Sequence, residues 1–140
     1  MRSRLVVLAL CVATAGVAVA AATACGDGAT NLRVPAGMRT DLRTVFLRAH
    51  PALRSADVAG PLPGRTYYGT NGDFHAVATF QVTGHPARPA IFWKLGAAKS
   101  PWRFVRDTHG GVRETDVSPD LLLLWGFTQW RHGPYYVLPR

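Results

Sequence analysis

Arg65-Thr66-Tyr67-Tyr68-Gly69-Thr70, then Asn71-Gly72, then Asp73-Phe74-His75-Ala76-Val77-Ala78-Thr79-Phe80-Gln81-Val82 reads as two strands about a turn. Aromatic and β-branched residues flank Asn-Gly, the dipeptide preferred in type I′ hairpins because both central residues take positive φ. A two-residue turn fixes the pairing, with Thr70 opposite Asp73, Tyr68 opposite His75 and Tyr67 opposite Ala76. Paired residues share a face. The core face therefore carries Tyr67, Phe74, Ala76, Ala78 and Phe80, and Tyr68, His75, Val77, Thr79 and Gln81 point away.

Outward from this hairpin, Ala90 to Leu95 reads as a third strand with Ile91, Trp93 and Leu95 inward. Trp102 to Asp107 is a fourth, closed by His109-Gly110-Gly111, and the two form a second hairpin across Gly96 to Pro101. Upstream, Met38, Leu42, Val45, Phe46 and Ala49 recur at spacings of three and four, an amphipathic helix that Pro51 ends. Downstream, Ser118-Pro119-Asp120 supplies an N-cap, a first-turn proline and a first-turn acid. Leu121 to Trp125 continue that helix, with Gly126 as a weak point and Gly133-Pro134 as its outer limit; Tyr135 to Leu138 adds an edge strand or packs. The fold class expected is α+β: a four-stranded antiparallel sheet of two hairpins, with an N-terminal and a C-terminal helix on one face.

The first residues carry an address. Arg2 and Arg4 precede an uncharged run from Leu5 to Ala24, and small residues stand at its exit, so residues 1–24 read as an export signal peptide. Ala22-Thr23-Ala24-Cys25 resembles the lipobox of bacterial lipoproteins, which implies a lipid attached to Cys25. Ala-x-Ala is equally a signal-cleavage pattern, so a lipid-anchored protein, free secretion and an uncleaved anchor all stay open. Residues 25–36, with Gly26, Gly28 and Pro35, read as a flexible tether, and 37–140 as a single α+β domain. Removing 24 of 140 residues leaves 116, enough for one core. The only other cysteine, Cys11, lies in the leader, so no disulfide supports that core. The net charge of +8 falls to +6 without Arg2 and Arg4. Such a field attracts anionic lipid head groups or acidic wall polymers; outside the cell, nucleic acid is not the expected partner.

The chemistry of the chain points to binding. No serine sits in Gly-x-Ser-x-Gly, no Gly-rich loop ends in Lys-Ser/Thr, and Glu114 is the only glutamate. His50, His75, His85, His109 and His132 stand too far apart in sequence for metal-ligand spacing, and no cofactor is implied. Trp93, Trp102, Trp125 and Trp130 read as core residues, with sugar stacking as the functional alternative. Helices on one side of a sheet leave the other open, and there the expected register places Tyr68, His75, Gln81, Phe92, Lys94 and Arg103. That mixture of aromatic, amide and cationic groups suits an anionic or polar partner, either a wall polymer or another exported protein. The alternative is a small extracytoplasmic hydrolase whose site assembles His109 with Asp107 and Asp116. In its leader, its Cys25 and its Tyr-Tyr-Gly…Phe-His-Ala-Val-Ala-Thr-Phe hairpin, the chain resembles the small secreted proteins and lipoproteins of GC-rich Gram-positive bacteria. That resemblance implies an extracytoplasmic place, lipid-anchored or secreted, and no particular activity.

Overall fold

The computed structural model describes residues 28–96 and 99–139; the leader and Cys25 lie outside them. In chain order the elements are β1 (Thr30–Asn31), α1 (Met38–Ala49), β2 (Val58–Ala59), β3 (Thr66–Asn71), β4 (Asp73–Val82), β5 (Arg88–Lys94), β6 (Arg103–Asp107), β7 (Gly111–Arg113), α2 (Pro119–Leu124), β8 (Thr128–Gln129) and β9 (Tyr135–Val137). One sheet runs β1-β3-β4-β5-β6, with β2 beside the far end of β4, and a second runs β7-β9-β8. The expected four-stranded sheet with two helices on one face is therefore corrected. Among the described residues the molecule is mostly strand, in sheets of six and three, and only α1 is a long helix.

The β3–β4 hairpin forms, one residue out of the expected register. Asn71 faces Asp73, Tyr68 faces Ala76 and Tyr67 faces Val77. Gly72 takes φ +105° while Asn71 stays in the strand, so the turn lacks the second positive φ that type I′ requires. A one-residue slip exchanges the faces of a whole strand. Tyr68 thereby joins Phe74, Ala76 and Phe80, and Gly69 comes to lie on the opposite face beneath α2. A Cβ on Gly69 would stand 2.6 Å from both Leu121 Cδ2 and the Thr30 carbonyl oxygen. Glycine in this register lets α2 approach the sheet, and that close packing outweighs the preferred turn.

Both faces of the large sheet are covered. On one, α1 lays Met38, Leu42 and Phe46 against Tyr68, Ala76, Ala78, Phe80 and Phe92. Phe46 stacks on Phe80 with centroids 4.0 Å apart, and burial of such a ring contributes about 2–3 kcal/mol. On the other, Val77 and Ile91 meet Val112, Leu121, Leu122, Trp125 and Tyr136 from α2 and the small sheet. Consecutive residues of β4 and β5 are buried on opposite sides, which is why these strands read as apolar runs and not as alternation.

Two local devices set the directions of later residues. In β6 the register shifts between Ile91 and Phe92, which pair with Arg106 and Phe104 and leave Val105 as the extra residue of a bulge. Arg106 therefore points to the α2 face, where its Nε donates to Asp116 Oδ2 at 2.7 Å, and Asp107 points to α1, where it meets His50. Ser118 caps α2 through the Leu121 amide, as its sequence predicts. The helix then stops after six residues. Gly126 takes φ +79°, its amide donates to the Leu123 carbonyl, and the Phe127 amide donates to the Leu122 carbonyl. That pair of bonds is a Schellman stop, so Gly126 ends the helix and is no weak point inside a longer one.

The segment read as a tether over 25–36 is also corrected in its latter part. Thr30 and Asn31 pair with Thr70 and Gly69, the Leu32 amide donates to the Tyr68 carbonyl, and Leu32 and Val34 pack on the α1 core.

Candidate binding groove

Between α1 and the β5–β6 connection lies a groove of about 400 Å³, walled by Asp41, Thr44, Arg48, Lys94, Lys99 and Trp102. Ser100 stands at its edge, and an adjoining cavity of about 240 Å³ adds Tyr68 and Met38. The helix supplies its wall by periodicity. Asp41, Thr44, Val45 and Arg48 follow at i, i+3, i+4 and i+7 and share one face, beside the apolar stripe that anchors the helix.

Lys94 forms the floor. It is only 8 % exposed, and its Nζ stands 4.8 Å from the Phe74 ring centroid and 5.0 Å from that of Trp102. A desolvated ammonium over two aromatic faces gains roughly 2 kcal/mol from each, which offsets part of its burial. Tyr68 completes the aromatic wall, 5.9 Å from both Phe74 and Trp102, and burial raises its phenol above the ordinary range. Arg48, Lys94 and Lys99 outnumber Asp41, so the lining is net positive. With the hydroxyls of Thr44 and Ser100 it offers charge and hydrogen bonds to a phosphate or carboxylate.

The six residues assigned to one open sheet face are divided. Tyr68, Phe92 and Lys94 lie under α1, with Tyr68 and Lys94 lining the groove or its annex and Phe92 fully buried in the core beneath. His75 and Arg103 belong to the other face, both paired with Trp93, and the Arg103 guanidinium lies 5.7 Å from that ring. Gln81 donates to the carbonyls of Val82 and His85 and closes the β4–β5 turn. The slip of β3 moves Tyr68, and the register of β4, β5 and β6, which pairs Phe92 with Ala76, Lys94 with Phe74 and Trp93 with both His75 and Arg103, separates the others.

His75 is half-buried, its Nδ1 has no partner among the described residues, and burial lowers its basicity against the opposing pull of Asp73 and the Asp116 backbone. The expected hydrolytic trio is not assembled. Asp107 accepts from His50 Nε2 at 2.6 Å on the α1 side, Asp116 is held by Arg106 on the α2 side, and His109 is exposed. His50 also bonds through Nδ1 to the Phe46 carbonyl at 2.8 Å, which caps the end of α1. Among the described residues no three His, Cys, Asp or Glu side chains converge on a metal position.

Asp41, Arg48 and Lys99 were not singled out from sequence, and Trp102 reads there as core or as a sugar-stacking platform, not as a wall of this groove. Their signal was present in the polar stripe of α1, but nothing in sequence set that stripe against residues 94–102. No protein-family model, curated protein or solved structure matches the chain.

Proposed function

We propose that this chain is an exported, non-catalytic binding protein of the cell envelope that takes an anionic ligand, such as a phosphate-bearing wall polymer, in the groove between α1 and the β5–β6 connection. The observation that carries the reading is the groove's lining, three cations against one carboxylate around an aromatic wall. The leader pattern and the +6 charge of the chain beyond it agree with an extracytoplasmic, anion-seeking protein. Lipid on Cys25 would hold the domain at the membrane, within reach of such polymers.

Arg48 and Lys99 are exposed, so reversing both charges leaves the core intact. The Arg48→Glu/Lys99→Glu variant should bind poly(glycerol phosphate) at least about tenfold more weakly by calorimetry, and wild-type affinity should fall with added salt. Equal binding by variant and wild type would remove the groove from consideration. Export is read separately from the intact mass of protein recovered from cells: a diacylglyceryl adduct on Cys25 establishes anchoring, and an unmodified N-terminus at Cys25 establishes free secretion. Full-length protein in the cytosol would defeat the localisation.

A further inference from the structure

The β8–β9 hairpin carries features that the groove does not use. Trp130 is 55 % exposed, whereas Trp125 is in the core and Trp93 and Trp102 are half-buried. Beside it lies a cavity of about 280 Å³ lined by Thr128, Gln129, Trp130, Val137, Leu138 and Pro139. Among the described residues no charged side chain lines it, in contrast to the groove at α1. The volume is just below the roughly 300–1,000 Å³ of drug-sized sites, which suits one ring-sized group. An indole, aliphatic walls, one hydroxyl and one amide match a ring with an apolar face and a polar rim.

The turn that presents Trp130 is built against backbone preference. Arg131 and His132 take φ of 45° and 55°, and the Gly133 amide closes the turn on the Trp130 carbonyl at 2.8 Å. They are the only non-glycine residues at positive φ among those described, where seven glycines serve that purpose elsewhere. Side chains retained where Asn-Gly would sit without strain are a mark of use, since L-residues resist this conformation. One use is visible. The Arg131 guanidinium lies 5.2 Å from the Trp130 ring, yet Arg131 does not line the cavity, so the ring is held while it faces that space.

We propose that this hairpin is a second binding site, for a pyranose ring of a neutral glycan, with Trp130 as the stacking platform and Thr128 and Gln129 bonding the ring's hydroxyls. The site is independent of the anionic groove. It also departs from the reading of all four tryptophans as core residues.

The probes are an N-acetylglucosamine tetramer and a neutral β-glucan, titrated at high salt so that attraction of anions is screened. Intrinsic fluorescence of wild type is compared with that of Trp130→Phe. A saturable change in wild type that is absent from Trp130→Phe is expected, and Arg48→Glu/Lys99→Glu should retain it. Replacement of the turn, Arg131→Asn/His132→Gly, should raise Tm by about 5 °C and weaken glycan binding about tenfold. No saturable change with either probe, or a change that survives in Trp130→Phe, overturns the proposal. A turn variant that binds as wild type does overturns the role given to Arg131 and His132.

Discussion

Gly69 shows how much of this fold depends on an absent side chain. It lies in β3 directly beneath Leu121 and Trp125, and the Trp125 indole donates to the carbonyl of its neighbour Tyr68 at 3.3 Å. Gly69→Ala places a methyl 2.6 Å from Leu121 Cδ2, which can swing aside, and equally near the Thr30 carbonyl, which is backbone and cannot. The expected cost is about 2 kcal/mol, in the range of overpacked cores, read from the midpoint of urea denaturation. His75 makes a prediction of a different kind. Its pKa in the folded chain lies below 6.5 because burial disfavours the imidazolium. Between the two values the unfolded chain holds the extra proton, so stability falls as pH drops through 6.5 and levels off below the folded value. His75→Leu should flatten that part of the profile when stability is measured from pH 8 to pH 4. An unchanged slope would place the acid sensitivity elsewhere.

At the scale of the element, the ends of segments were easier to read than their partners. Pro51 closes α1, and Ser118-Pro119 opens α2, because caps and proline act through local backbone geometry. The glycine after Trp125 was also local information, but five successive apolar residues suggested continuation. Its actual role predicts that Gly126→Ala costs about 1 kcal/mol through the strained φ, with α2 no longer for the change. Loss of amide protection confined to Gly126 and Phe127 in hydrogen exchange would show the stop loosening, whereas new protection at 128–130 would mean the helix had extended. The bulge at Val105 and the strands β7 and β8 had no comparable signal, while β9 lies within Tyr135 to Leu138, which reads as an edge strand or a packing segment. Each of those strands has two or three residues, too few for a period of two, and they exist because Val112 and Tyr136 cover Val77 and Ile91. Of the groove, Lys94 was recognised by its chemistry, but its neighbours come from 41–48 and 99–102. That juxtaposition is set by how α1 crosses the sheet, which no spacing along the chain encodes.

At the scale of the whole molecule, one sheet serves two cores. Ala76 and Ala78 face α1 while Val77 faces α2, and Phe92 faces α1 while Ile91 faces α2. With no disulfide among its described residues, the chain depends on these two packed layers for most of its stability. Neither layer can be lost alone, because removing α1 or the α2 layer exposes apolar residues of the strands that anchor the other. Unfolding should therefore follow a single transition, with Trp fluorescence and far-UV circular dichroism superimposed. Phe46→Ala weakens the α1 layer by about 3–5 kcal/mol and Leu121→Ala the opposite layer by about 2–5 kcal/mol, and each should move the one midpoint for both probes. If Leu121→Ala instead produced an early fluorescence step, with α1 helicity lost only later, the two layers would be separate folding units. The groove, which rests on α1 and β5, would then survive without the hairpin that carries Trp130.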